Sequence, residues 1–277
     1  MKISELENLK VQTINPFLKW AGGKRWLTTT YPDLLPENYK RYYEVFLGSG
    51  AVFFSMRPQM ATLSDLNEEL IECYSVLRDD WQNVVERLHH HQLHHSKDYY
   101  YEVRNSKPRT LANKAARFVY LNRTCWNGLY RVNLSGEFNV PVGTKTNVLL
   151  DSDNFEVLSA LLKKTRLLAA DFEEVIDKAK SGDFIFADPP YTVRHNLNGF
   201  VKYNEKIFHW DDQIRLRDCL VRASNRGCLV LLTNANHPSV VELYENDFEL
   251  ISLSRSSVIA ADSKNRGMYE ELVAKNF

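Results

Sequence analysis

Several things are scarce in this chain. Of its 277 residues only four are cysteine, at positions 73, 125, 219 and 228, with no C-x-x-C pair and no metal-like spacing. That excludes a disulfide scaffold and predicts free thiols in a reducing compartment. No apolar run approaches the roughly 18 residues that a membrane span needs. Met1 to Lys10 is polar and acidic, not basic and then apolar, so it does not read as a signal peptide. The 11 glycines and 9 prolines form no repeat and no low-complexity linker. Net charge is missing too, because 35 basic and 35 acidic side chains cancel. What is present is ordinary for a globular protein of one or two domains: 44% apolar and 25% charged residues.

The zero balance hides a segregation. Lys97 to Lys145 holds nine Lys or Arg against three Asp or Glu, and Arg194 to Arg226 holds seven against four. A basic stretch within a neutral chain is the pattern of a surface that meets an anionic partner.

Short apolar runs alternate with helical patterns. Strands are predicted at Tyr42–Phe46, Ala61–Leu63, Arg166–Ala170, Asp183–Ala187 and Cys228–Leu232. Two closing strands, at Phe248–Ser252 and Met268–Ala274, read as antiparallel. Helices are predicted at Glu68–Leu77, Phe155–Leu162, Glu173–Ala179 and Asp211–Ala223, with Ser64 or Asp65 capping the first of these. Strands spaced by helices imply an α/β fold with a mostly parallel sheet covered on both faces. Residues 79–150 break this rhythm. They read as helices to about Leu121 and then, from Asn127 to Gly143, as turns and a β-hairpin. We therefore expect an inserted domain at 79–150 within a sheet domain of 1–78 and 151–277.

In an open parallel sheet, ligands bind beyond the carboxyl ends of strands. Four signals fall there: Phe46 to Gly50, Asp65, Asp171-Phe172 and Asp188 to Tyr191. Gly48 and Gly50 let backbone approach a ligand, and Asp65 follows the second strand, where an acid can accept from ribose hydroxyls. The third glycine of a dinucleotide fingerprint is missing, so a nucleoside cofactor without a pyrophosphate fits better. Lys24 follows Gly22-Gly23 but fails the phosphate-loop pattern, since Arg25 stands where Ser or Thr is needed. The stretch Asn15–Lys24, with Phe17, Trp20, two glycines and two lysines, reads as the lining of a site.

Asp188-Pro189-Pro190-Tyr191 is the sharpest signal. Two prolines end the strand and remove two backbone donors, leaving carbonyl acceptors beside a carboxylate. Asp188 and the Pro189 carbonyl can accept from one amino group, and Tyr191 can stack on a flat ring. That chemistry suits an exocyclic amine on a planar heterocycle.

Five segments carry a resemblance: PFLKWAGGK, EVFLGSGAVF, SDLNEELI, NGLYRVNLSGEFNVPVG and ADPPY. In this order they closely resemble the Dam-like, D12 class of DNA adenine-N6 methyltransferases, over nearly the whole chain. The resemblance implies a Rossmann-like sheet of seven strands with an inserted, mainly helical recognition domain carrying a β-hairpin. It implies S-adenosylmethionine as cofactor and double-stranded DNA as substrate. Matching motifs place Trp20, Ala21, Lys24, Phe46, Gly48, Ser49, Gly50, Asp65, Asp171 and Phe172 at the cofactor. They place Asp188, Pro189, Pro190 and Tyr191 at a flipped-out adenine. Arg123, Asn127, Arg131 and Asn133 are placed on DNA, with Arg131 and Asn127 foremost, since arginine can read guanine and asparagine adenine.

The resemblance further implies a cytoplasmic enzyme acting at a short sequence such as GATC, with any cognate endonuclease a separate protein; a monomer is expected, because one methyl transfer modifies one strand and nothing requires two-fold contacts. It also has a departure, because Thr144 to Asn154 does not match the pattern of GATC-methylating members. No metal is needed for this chemistry. His89, His90, His91, His94 and His95 read as a solvated or DNA-facing helix, and Trp81, Tyr99, Tyr100 and Tyr101 as helix packing. Competing readings are a non-catalytic DNA-binding module, an oxidoreductase on a similar sheet, and amino-methylation of cytosine N4, RNA or protein.

Overall fold

The computed structural model describes residues 14–133, 136–192, 208–256 and 268–277. Seven strands form one sheet in the order β3-β2-β1-β4-β5-β7-β6. They are β1 (Tyr42–Glu44), β2 (Ala61–Asp65), β3 (Thr165–Ala169), β4 (Phe184–Ala187), β5 (Leu229–Ala235), β6 (Glu249–Ser256) and β7 (Met268–Lys275). β1 pairs in parallel with β2 and β4, and β4 with β5, whereas β7 runs antiparallel to both β5 and β6. Every residue of β4 is buried, as a central parallel strand requires. The chain order reverses between β1 and β4, and such a switch point opens a crevice beyond the carboxyl ends of the two strands.

The strands differ from the sequence reading mainly at their ends. β5 runs on through Thr233, Asn234 and Ala235, three residues past the predicted end. Both polar residues are fully buried, and their partners come from distant segments, so no local pattern announces them. β1 stops at Glu44, two residues early.

Nine α-helices lie among the described residues: α1 (Arg25–Thr30), α2 (Ala51–Met56), α3 (Glu68–His94), α4 (Lys97–Asn105), α5 (Leu111–Thr124), α6 (Phe155–Leu162), α7 (Phe172–Ile176), α8 (Trp210–Asn225) and α9 (Pro238–Tyr244). α3, α4, α5 and α6 each start on a side chain that accepts from the backbone three residues on: Asn67, Ser96, Thr110 and Asn154. Asn67, not Ser64 or Asp65, therefore caps α3, because the Asp65 carboxylate is used elsewhere.

Contacts divide the chain into two units. Residues up to Pro32, Gly48–Gln59 and Asp65–Ala169 form one. Asp33–Leu47, Met60–Ser64 and the described residues from Ala170 onward form the other. The stretch 79–150, expected as a separate insert, groups with its flanks in the first unit. α3 runs through position 78 without a break and kinks two residues later, at Asp80 (φ −147°, ψ 42°). Within this unit α3 packs on α5 and α6, and α4 packs on α5. In place of the predicted hairpin strands are two isolated antiparallel bridges, Cys125 to Val142 and Val132 to Phe138. Gly143 has to be glycine, since a Cβ there would lie 2.4 Å from the Cys125 carbonyl oxygen.

The histidine-rich end of α3 is not a purely solvated face. The His91 Nδ1 lies 2.8 Å from the Tyr99 hydroxyl, and its ring stacks on Tyr120 at 4.7 Å. His95 Nδ1 lies 2.8 Å from the Tyr120 hydroxyl. Tyr100 is fully buried and donates to the Val140 carbonyl, so Tyr99 and Tyr100 are packing residues. Burial, then the charges of His90 and His94, push the His91 pKa down to about 4. A histidine held neutral in the fold stabilises it above the unfolded pKa of about 6.5. That contribution is lost as pH falls from about 6.5 to about 4. We expect the thermal midpoint of the parent to fall more steeply over that range than that of His91→Gln. Equal slopes in melts at pH 7.5 and pH 5 would contradict this.

Candidate active site

The glycine turn after β1 is built around one carboxylate. Gly48 (φ 47°) and Gly50 (φ 63°) both lie in the left-handed region, which glycine enters without strain. Asp65, the last residue of β2, accepts from Gly48 N at 3.1 Å and from Asn67 N at 3.0 Å. The Tyr74 hydroxyl donates to the Gly48 carbonyl at 3.1 Å. Burial raises the Asp65 pKa, against the pull of backbone N–H groups from Asn67, Gly48 and Leu66.

Trp20 lies against this turn, and a Cβ on Gly48 would sit 2.7 Å from its ring. That ring also stacks on Tyr130, at 5.6 Å and 17°. Lys24 is buried and donates to the Gly22 carbonyl at 2.6 Å, just ahead of α1. Gly23 approaches the Ser49 hydroxyl, and Ala21 is exposed. Trp20, Lys24, Gly48, Ser49, Gly50 and Asp65 are thus brought together.

This arrangement fits a nucleoside with a sulfonium tail. A desolvated carboxylate beside the turn would repel a pyrophosphate, while its remaining acceptor sites suit sugar hydroxyls. Two glycines bring backbone close without forming a phosphate cradle.

Asp171 and Phe172 follow β3 and start α7. The Asp171 carboxylate caps the helix through Glu173 N at 2.9 Å and holds Arg215 with both oxygens, at 2.7 and 2.9 Å. Burial alone would raise its pKa. The Arg215 hydrogen bonds, the Glu173 N–H and the Arg215 charge outweigh that and leave it lowered. Phe172 is buried, with the Arg215 guanidinium 4.2 Å over its ring. It clusters with Phe46 at 5.5 Å and Phe208 at 6.0 Å. Both residues therefore serve local structure, whatever else they touch. Arg215 and Phe208 carried no motif and were missed.

Asp188-Pro189-Pro190-Tyr191 follows β4, as expected. Ala187 is the last residue in the ladder, paired with Leu232. Asp188 Oδ1 accepts from the Thr233 hydroxyl at 2.8 Å, and the Tyr191 hydroxyl donates to Glu271 Oε2 at 2.8 Å. Thr192 Oγ1 donates to the Phe208 carbonyl at 2.7 Å. Most of the basic and aromatic loop after the tetrapeptide, 193–207, lies outside the described residues.

The four residues expected on DNA separate sharply. Arg123 is only 1% exposed. It donates to Asp153 through two nitrogens at 2.6 and 2.7 Å, to the Phe17 carbonyl at 2.8 and 3.0 Å, and to the Val148 carbonyl at 2.7 Å. Those bonds occupy every guanidinium nitrogen, so the expectation that Arg123 reads DNA is corrected: it ties buried backbone together. Asn133 is exposed but holds the hairpin turn, accepting from Glu137 N at 2.9 Å. Arg131 and Asn127 are exposed too, Asn127 at φ 55° in a turn beside the half-exposed Trp126. Arg131 Nε touches Asn139 Oδ1 at 3.1 Å. Tyr130, also missed, donates to Glu69 and stacks under Trp20, which puts an aromatic pair beside the Gly48 turn.

Strand order and strand-end chemistry together define the Rossmann-like class of S-adenosylmethionine-dependent methyltransferases. The family model for D12 class N6 adenine-specific DNA methyltransferases matches residues 20–259. The Type II methyltransferase M1.LlaDCHI of Lactococcus lactis subsp. cremoris is 37% identical over 273 residues, 95% of this chain and 96% of that one. The Type II methyltransferase M.MjaIII of Methanocaldococcus jannaschii is 34% identical over 284 residues, covering 94% and 98%. A DNA adenine methylase of Vibrio cholerae is 29% identical over 263 residues, covering 93% and 94%. The chain belongs to the D12 class of N6 adenine-specific DNA methyltransferases. It transfers a methyl group from S-adenosylmethionine to adenine N6 in double-stranded DNA. No helix among the described residues is long and apolar enough to cross a membrane.

Arg123→Ala should act through stability, not recognition. Removing one partner of a buried ion pair costs about 3–5 kcal/mol. We expect a marked drop in melting temperature and, at temperatures where the variant is folded, DNA affinity close to the parent's. A normal melting temperature with lost DNA binding would reverse the correction.

Proposed function

We propose that Asp188 and the Pro189 carbonyl receive the N6 amine of an adenine flipped out of duplex DNA, and that Tyr191 stacks on its ring. The observation that carries this is the strand end at Ala187, where two residues without N–H groups follow a carboxylate held by Thr233. A base in the stack cannot reach a site at a strand end, so the nucleotide must be extruded. Asp188 and the Pro189 carbonyl accept hydrogen bonds from the two amine N–H groups, which draws the nitrogen lone pair out of conjugation with the ring. The cofactor, when bound, supplies an electrophilic methyl group on sulfonium sulfur. Asp188 orients the amine and stabilises the positive charge that develops on it, so most of the gain is positioning and preorganised electrostatics. It need not be a strong base, because the proton leaves after charge has developed.

Trp20, Ala21, Lys24, Phe46, Gly48, Ser49, Gly50 and Asp65 hold the cofactor, Asp65 through the ribose. Asp171 and Phe172 contribute by shaping the wall next to Phe46 and stand further from direct contact than their motif suggests, because Arg215 already engages both. Residues 79–150 carry recognition, with Arg131 and Asn127 at base edges and Asn133 setting the hairpin. The site is short, and GATC is the first sequence to try. Two relatives are named Type II methyltransferases, which supports a modification enzyme whose cognate endonuclease is a separate protein. The enzyme works as a cytoplasmic monomer, since one transfer modifies one strand.

The test is mass spectrometry of nucleosides after incubation with deuterated S-adenosylmethionine and mixed-sequence duplex DNA, with single-stranded DNA and RNA in parallel, followed by mapping of modified sites. Labelled N6-methyladenine at one short sequence is the expected result. Labelled N4-methylcytosine would overturn the base assignment, and label only in single strands or RNA would overturn the duplex.

A further inference from the structure

The residues that do the chemistry are held from behind by two strand residues that no motif marks. On β5, Thr233 and Ala235 point to one face of the sheet, because side chains alternate along a strand. Ala235 stands opposite Glu271 across the antiparallel pair, and Thr233 stands opposite Val273. Directly opposed residues share a face, so Thr233 and Glu271 project from the same side of the sheet, one diagonal step apart. Asn234 projects from the other side, where its amide donates to Gln213 Oε1 of α8 at 3.1 Å.

Each of the two residues holds a different member of the tetrapeptide. Thr233, fully buried, donates to Asp188 Oδ1 at 2.8 Å. Glu271, 5% exposed, accepts from the Tyr191 hydroxyl at 2.8 Å. Burial makes both bonds consequential, because a polar group with no partner in such a place carries its full desolvation cost. A buried glutamate in a closing strand is also uncommon enough to need a reason.

We propose that Thr233 and Glu271 are positioning residues for methyl transfer, forming a two-point mount for the Asp188–Tyr191 segment. Thr233 sets the plane of the Asp188 carboxylate. One carboxylate oxygen accepts the hydrogen bond of the hydroxyl, which fixes the direction in which the group offers its remaining acceptor sites to the N6 amine. Glu271 sets the tilt of the Tyr191 ring, and so the plane in which an extruded base can stack. The prolines between stiffen the backbone, so the two anchors fix both ends of a rigid element. This rests on the reading that Asp188 receives the amine. Acceptor geometry of this kind matters because misplacement by about 1 Å can cost on the order of a hundredfold in rate.

The experiment is single-turnover methyl transfer, with cofactor and DNA affinities measured alongside, for the parent, Thr233→Val, Thr233→Ser, Glu271→Gln, Glu271→Leu and Asp188→Ala. Valine keeps the shape of threonine and loses the donor, while serine keeps the donor. We expect Thr233→Val to slow the chemical step by about ten- to a hundredfold with both affinities within about threefold of the parent. Thr233→Ser should restore most of the rate. Glu271→Gln keeps an acceptor for Tyr191 and should stay within about threefold of the parent in rate, while Glu271→Leu should lower it together with the fluorescence rise of 2-aminopurine placed at the target base. Equal rates for the valine variant and the parent would overturn the proposal, as would equal losses for valine and serine. Should Thr233→Val fail to fold, the Glu271→Gln and Glu271→Leu contrast decides in the same way. If Asp188→Ala itself transfers at the parental rate, it is the underlying reading of Asp188 that fails.

Discussion

The arrangement depends on where one buried strand stops. β4 is apolar throughout and hydrogen-bonded to a parallel neighbour on each side, so its ladder would continue if the chain allowed it. It ends because two consecutive prolines follow Asp188 and offer no N–H. That happens beside the switch point of the sheet, where β1 and β4 send the chain to opposite sides. A carboxylate and the carbonyls of two residues that carry no N–H are thereby presented where a parallel sheet has space for a ligand. The methylation chemistry asks for just such a site: acceptors for an amine, and no competing donors next to them.

Around that fixed point, charge is used locally and not as a field. The basic residues of 97–145 looked alike in the sequence, yet burial sorts them into different tasks. Arg123 spends its guanidinium on Asp153 and on two separated pieces of backbone, at Phe17 and Val148. Arg117 donates to the Val103 and Arg104 carbonyls and fastens α5 to α4. Arg131 stays at the surface on the hairpin. A zero net charge is therefore compatible with a DNA substrate, because net charge averages over side chains that burial and pairing put to different uses. Arg215 and Arg222 show the same economy at α7, where they bind Asp171, Glu173 and Asp177.

What could be read from the sequence was whatever depends on neighbours in the chain. Strands, helix starts and the proline-ended β4 all have local causes, and all seven strands were anticipated within a few residues. Both left-handed glycines of the β1 turn were legible because only glycine adopts that geometry at little cost. Features decided by partners far along the chain were not. Asp65 looked like a helix cap, but its carboxylate closes a turn 17 residues earlier. Arg123 looked like a DNA contact until Asp153 and Phe17 came to meet it. The Thr233 and Glu271 bonds span 45 and 80 residues, so no window on the sequence contains both ends. The histidines of α3 read as solvated because the tyrosines that cover them come from α4 and α5.

The central claim is that the Asp188 carboxylate acts on the target amine and not on the fold or the cofactor. Its most direct test is the single-turnover rate of Asp188→Ala, measured at saturating cofactor and duplex DNA, with the affinities for both determined on the same preparation. The expected rate is lower by about a thousandfold or more, with both affinities close to those of the parent. A variant that transfers methyl at a near-parental rate, or one that loses activity only because it no longer binds the cofactor, would contradict it.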